Sequence, residues 1–313
     1  MRRKTIKGLS FLAGMYGVWV AVSCAVYGLS RLLPPDIMVD PLLSSLLFSA
    51  AALFFLVVGF QLNSIYLVFV ESVFKDRLKA RLLCLAAVVA AAGLMFLAAR
   101  HWLIVSPFFY MIYTANLIVF ANLLGVWIIT PLKREAEIIM VCVVMAVADL
   151  FSMLRGPTRE IVEVVKAYYQ GDMAGPPPAA DFLLVKIPAF GLDHLQPLFG
   201  VSDWIIIVFL SAAAARFRIN DNLVGRGAFE MIEAGRVLFY FPLAGAGLAA
   251  ALFAAMLLNR FVPALPVIAG MFICFLLIRY PAARQLKRSD WRVLGVFCGV
   301  MLALLLLALI MTR

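Results

Sequence analysis

The sequence predicts an all-α, polytopic transmembrane helical bundle of about nine spans, on three observations. The first is composition: 65% of the 313 residues are hydrophobic and 14% are charged, against about 25% charged in ordinary soluble domains. Mean hydropathy is +1.04. The second is spacing, because the apolar residues gather in repeated runs of about 20, the length at which a helix crosses a hydrocarbon core of roughly 30 Å. The third is the absence of strict apolar/polar alternation within those runs, which excludes a transmembrane β-barrel.

The runs follow in order. MRRKTIK precedes about 22 apolar residues, too long a stretch for a cleavable leader and without a small-x-small cleavage site, so a first span is expected over 9–30. The second and third are expected over 43–70 and 82–99, separated by the charged turn ESVFKDRLKAR, and the fourth over 103–130. A fifth, over 136–154, stops at Arg155-Gly156-Pro157, where proline cannot continue the hydrogen-bond ladder. Next, the apolar residues at 161, 162, 164, 165 and 168 predict a short amphipathic helix, broken by Gly-Asp-Met-Ala-Gly-Pro-Pro-Pro. Phe182–Ile187 is too short to span and reads as a brief strand or a re-entrant segment. The last four spans are expected over 200–216, 237–258, 261–279 and 292–311. The chain then divides into an N-terminal half of four spans, 1–135, and a second half, 136–313, holding the motif-bearing spans and an extra C-terminal helix.

Charge fixes an expected orientation. Of the 27 Lys and Arg residues, 19 fall on the side of the N-terminus when loops are assigned alternately, and 8 on the other. The positive-inside rule therefore puts the N-terminus in the cytoplasm and the loop 156–199 outside. The net charge of +10 is spread over short inter-span segments. Such segments meet anionic headgroups of the lipid bilayer, which excludes a nucleic-acid partner as its explanation. Cys24, Cys84, Cys142, Cys274 and Cys298 lie inside apolar runs without CxxC spacing, so neither a disulfide framework nor a zinc site is expected. Gly245-Ala246-Gly247 and the Gly295-to-Gly299 spacing predict close helix packing. His194 is expected in solvent and His101 at the interface.

Two of the 17 acidic residues, Asp149 and Asp203, fall clearly within apolar runs. A carboxylate at membrane depth is costly and is kept for pairing, ion passage or catalysis. Asp149 precedes Arg155 by six residues and Asp203 follows Pro197 by six, so at helical rise each lies about 9 Å from the outer boundary. Two carboxylates sharing a low-dielectric site cannot both ionise easily; one keeps its proton and polarises a peptide carbonyl while the other activates water. Such a pair titrates as a unit.

Three landmarks occur in order: ADLFSMLRGPTREIVE, then Gly200-Val201-Ser202-Asp203, then Val262-Pro263-Ala264-Leu265-Pro266. Together they resemble the presenilin and signal-peptide-peptidase group of intramembrane aspartic proteases, with its first catalytic helix, its GxGD motif and its PAL motif. The resemblance covers roughly residues 136–280. It implies a presenilin-like fold in which Asp149 and Asp203 are the catalytic pair. Gly200, Ser202, Pro263, Ala264 and Leu265 would then lie along the substrate cleft. Independently of the resemblance, Pro263 and Pro266 lack N–H groups and disturb the start of the eighth span, freeing backbone groups for a ligand. Ala148 stands where the family has tyrosine and Ser202 where it has glycine; the family also has five spans before the first aspartate and none after PAL. An external catalytic loop matches the signal-peptide-peptidase branch. The implied substrates are single-span segments such as remnant signal peptides, cut without cofactor or metal.

Other readings stay open on the residues alone. The pair could relay protons in a coupled transporter, though no internal repeat with broken helices is detected. A catalytically silent relative that binds membrane segments is a third reading. Phe182–Ile187 either adds a strand to an unwound substrate, as the resemblance implies, or pins the loop at the interface. No GxSxG and no HExxH occurs, so serine-hydrolase and zinc-protease chemistry are not indicated.

Overall fold

A computed structural model describes residues 2–32, 41–74, 77–102, 106–171, 175–190, 192–258 and 260–311. These are helical apart from short connections and one two-stranded hairpin. The helices are α1 (Arg2–Ser30), α2 (Pro41–Ile65), α3 (Glu71–Phe74), α4 (Leu78–Trp102), α5 (Pro107–Ile128) and α6 (Ala136–Arg155). They continue with α7 (Pro157–Gln170), α8 (Val201–Arg216), α9 (Ala228–Ala234), α10 (Leu243–Leu258), α11 (Ala264–Arg279) and α12 (Arg288–Met311). A π-helical turn, Tyr66–Val70, carries α2 into α3. Among the described residues, five helical stretches are long and apolar enough to cross a membrane: Gly8–Ser30, Leu42–Phe74, Leu78–His101, Pro107–Ile128 and Ala136–Leu154. Helices α10 and α11 are apolar but shorter, at 16 residues each.

Helix ends follow local chemistry. Gly156 separates α6 from α7 because a Cβ there would stand 2.7 Å from Ser152 Cα. Pro157 opens α7 at a position whose N–H would lack a partner anyway. Within Phe182–Ile187 the first two residues close a 3-10 turn (Ala179–Leu183) and the rest form a strand: β1 (Leu184–Pro188) pairs antiparallel with β2 (Leu195–Gly200), with an irregularity between Val185 and Lys186. The run expected from 237 becomes helical only at Leu243, because its backbone is held in extended form. The Gln61 amide donates to Tyr240 O at 2.8 Å and accepts from Tyr240 N–H at 3.2 Å. Asn222 donates to Phe239 O and accepts from Phe241 N–H, both at 3.0 Å. The run expected from 261 starts at Ala264, with Pro263 as its N-cap residue.

The chain forms two compact units, each discontinuous in sequence: residues 1–128 with 174–242, and residues 129–173 with 243–313. In the first, α5 is mostly buried among its neighbours and lies directly on α8. A Cβ on Gly125 would stand 2.7 Å from Ile205 O and 2.9 Å from Val208. Trp204, fully buried, fits a slot on the same side of α8. Its ring stacks on Phe60 and on Phe199, each at 5.6 Å between centroids, and its indole N–H donates to Asn122 Oδ1 at 3.3 Å. Gly59 makes room for it, since a Cβ there would meet the ring at 2.6 Å.

In the second unit α11 packs on both α6 and α10, and α12 packs on α6. Gly247 lets α10 approach α11, its added Cβ meeting Ile268 Cα at 2.8 Å. Gly295 and Gly299 have open space beside them, so the close packing expected at that pair is not found. The Arg134 guanidinium donates to both carboxylate oxygens of Asp290 at 3.1 Å and to Glu137 Oε1 at 3.0 Å, tying the start of α6 to the start of α12.

The glycine contacts give the first prediction. Gly125→Val overpacks the α5–α8 contact and destabilises the protein by about 1–3 kcal/mol, read as a lower unfolding midpoint in detergent. Gly93→Ala, at an exposed glycine with nothing within 4 Å, leaves the midpoint unchanged or slightly raised.

Candidate functional site

Asp149 lies near the C-terminal end of α6, half-buried, and its position is explained by what faces it on α11. A helix starts with four N–H groups that have no partner inside the helix. In α11 two of these four positions are Pro263, at the N-cap, and Pro266, at N3, and neither carries an N–H. The donors left are those of Ala264 and Leu265. The Leu265 N–H faces the Asp149 carboxyl group, so this acid lies at the open end of its neighbour. The Ala264 N–H is the second donor of the same turn, and Pro263, Ala264 and Leu265 are all half-buried there.

Asp203 belongs to the first unit and sits in the first turn of α8. β2 ends at Gly200, which is the N-cap residue, and the Gly200 N–H donates to Asp203 Oδ2 at 3.1 Å. This is the acidic half of a capping box, with the acid at N3 reaching back to the N-cap backbone. A Cβ on Gly200 would stand 3.2 Å from Ser202 Oγ and 3.4 Å from Asp203 Oδ2, so a side chain here crowds the carboxylate. Ser202 is exposed and Asp203 half-buried. The residues from Pro197 to Asp203 are the end of a strand, up to Gly200, followed by the first turn of α8. The depth reckoned for Asp203 at uniform helical rise therefore does not apply.

The structure thus gathers Asp149 with Leu265 in one unit, and Gly200, Ser202 and Asp203 in the other. The chemistry within reach is that of carboxyl groups facing backbone N–H donors beside helix N-termini. Among the described residues no group of three His, Cys, Asp or Glu could hold a metal.

The hairpin leading into Asp203 has an anchor that apolar patterning does not reveal. Lys186 of β1 is 2% exposed and pairs with buried Asp181. Its ammonium lies 3.4 Å from the centroid of the Tyr110 ring, and the Tyr110 hydroxyl donates to Asp181 Oδ2 at 3.2 Å. The Lys186 N–H donates to Thr114 Oγ1 at 3.3 Å. Burial pulls the Lys186 ammonium down to about 8, with Asp181 acting in the opposite sense. The signal available in the sequence is a lysine inside an otherwise apolar stretch, five residues after an aspartate. His194, expected in solvent, is half-buried beside Gln196. Asn122 and Trp204, which hold α8 in place, carry no distinctive sequence signal.

No family model, no curated protein and no solved structure matches this chain.

Two predictions follow from these contacts. Lys186→Met leaves Asp181 buried without its cation and costs about 3–5 kcal/mol, while Lys186→Met with Asp181→Leu recovers most of that loss; chemical unfolding in detergent measures both. Asp203→Ala removes the acceptor for the Gly200 N–H and costs about 0.5–2 kcal/mol, whereas Asp203→Asn keeps an acceptor oxygen and costs less.

Proposed function

We propose that the protein is an intramembrane aspartic endopeptidase of the presenilin and signal-peptide-peptidase type, with Asp149 and Asp203 acting as one acid/base pair. The observation that carries the reading is the approach of the Leu265 N–H to Asp149. Two landmarks that the sequence separates by more than a hundred residues, the acidic helix and the Pro-Ala-Leu turn, meet at the functional group of the first. The third landmark contributes Asp203 in the first turn of α8, directly after a strand. The proposal includes a presenilin-like arrangement of about nine spans, with the N-terminus in the cytoplasm and the 156–199 loop outside.

In this mechanism the ionised carboxylate takes a proton from water as its oxygen attacks the scissile carbonyl carbon. The protonated partner gives its proton to the carbonyl oxygen, forming a gem-diol. Collapse of the diol passes a proton to the amide nitrogen, the C–N bond breaks, and the pair returns to one proton shared between two acids. The turn at Pro263, Ala264 and Leu265 binds extended substrate through its remaining backbone donor, and Gly200 and Ser202 keep the approach to Asp203 open. Substrates are single-span membrane segments, including remnant signal peptides.

Purified protein reconstituted with a single-span substrate tests this. Asp149→Asn and Asp203→Asn each lower cleavage by at least about 100-fold while leaving the unfolding midpoint within a few degrees of wild type. Cleavage that survives either substitution overturns the acid/base pair. Proton-linked solute uptake without cleavage replaces the protease with a transporter, and binding of the segment without cleavage replaces it with a silent receptor.

A further inference from the structure

The loop between α8 and α9 conceals a third carboxyl group, away from the two already described. Asp221 is 1% exposed. Its Oδ2 accepts from the Tyr240 hydroxyl at 2.7 Å, and its Oδ1 is buried with no partner among the described residues. Tyr240, also fully buried, is docked on α2 by the two Gln61 hydrogen bonds to its backbone. The Ser211 hydroxyl of α8 lies against the Tyr240 hydroxyl. Beside them Asn222 donates to Arg226 O and Phe239 O and accepts from Val224 N–H and Phe241 N–H, at 2.8 to 3.2 Å. The Tyr240–Asp221 hydrogen bond therefore ties the extended segment 236–242 to the loop 217–227, with Ser211 of α8 beside it.

Nothing cationic offsets this acid. The interactions at its carboxyl group are with Tyr240 and with its own backbone N–H. The loop's arginines face elsewhere: Arg218 pairs with Glu233 at 2.8 Å and Arg226 with Glu230 at 3.9 Å, all with largely exposed side chains. On the packed elements, Ser211 of α8 and Gln61 of α2 are uncharged, and among the described residues Tyr240 is the titratable group that faces the acid. An isolated carboxylate removed from water is costly, whereas a neutral carboxyl group can both give and take a hydrogen bond with Tyr240.

We propose that Asp221 is a proton-binding site: the neutral acid latches segment 236–242 to α8 and the 217–227 loop, and loss of its proton to water opens the latch. Burial pushes the carboxyl group from its ordinary 3.8 up to about 7. Because the folded value is the higher one, the stabilisation is complete below about pH 4, declines as pH rises, and is gone above about pH 7.

Amide hydrogen exchange across 236–242, corrected for the intrinsic pH dependence of exchange, reads the latch directly in detergent-solubilised full-length protein. Wild type opens at least about tenfold more at pH 7 than at pH 5, and Asp221→Asn stays within about twofold over the same interval. Parallel profiles for the two proteins overturn the proposal. Tyr240→Phe removes the donor on Oδ2 and moves the midpoint to higher pH, and an unmoved midpoint also overturns it. Should Asp221→Asn fail to fold, the infrared C=O stretch of a protonated carboxyl group in wild type serves instead. It must fade as pH rises through about 7, and its absence at pH 5 overturns the proposal.

Discussion

A backbone N–H with no water to bind must find an acceptor in the protein, and in a chain this apolar that requirement decides where acids and amides are placed. Helix interiors meet it internally. The exceptions are helix starts, strand ends and extended connections, and several polar side chains of this protein meet the open backbone groups there. The Leu265 N–H faces Asp149, and Gly200 donates to Asp203. Tyr240 and Phe241 donate to Gln61 and Asn222. Each is the same solution to the same problem, a side-chain oxygen closing a backbone donor that the secondary structure leaves open.

This gives the two candidate catalytic acids a structural duty alongside any chemical one. Removing either carboxyl group altogether also strands a backbone donor, which costs about 1–3 kcal/mol where water is excluded. Amide isosteres keep an oxygen in place and separate the two duties. The Pro-Ala-Leu turn shows the principle from the donor side. By carrying no N–H at Pro263 and Pro266, the start of α11 concentrates its hydrogen-bonding capacity on Ala264 and Leu265, and Leu265 is the one that meets Asp149.

What was legible in the sequence follows the same division. Apolar runs, Gly156-Pro157 and the amphipathic stretch after it are local signals, and α6 and α7 begin and end close to where those signals point. The Gly247 contact was legible as a small-residue cluster, while Gly295 and Gly299 carry the same pattern and contact nothing. Spacing alone does not say which face of a helix is covered. The start of α10 was misplaced because Val237–Phe241 is apolar enough for a span, yet its backbone is claimed by Gln61, 179 residues away from Tyr240, and by Asn222. Asp181 and Asp221 carry no local sequence signal of burial, and Lys186 carries only its apolar neighbours. Their burial is a tertiary fact, visible only once β1 lies on α5 and the 217–227 loop folds over Tyr240.

Helix α8 is where these constraints accumulate. At its first turn Asp203 closes Gly200, and one residue later Trp204 is held between Phe60 and Phe199 with its indole N–H on Asn122. In its middle the Gly125 contact brings the α5 backbone against Ile205 and Val208. Towards its end Ser211 meets Tyr240, and through it Asp221. A helix fixed at its start, middle and end has little freedom to rotate or slide within its unit, which is what a reacting carboxyl group needs from its support. In the latch proposed above, the proton on buried Asp221 acts through Tyr240 beside the far end of that same helix.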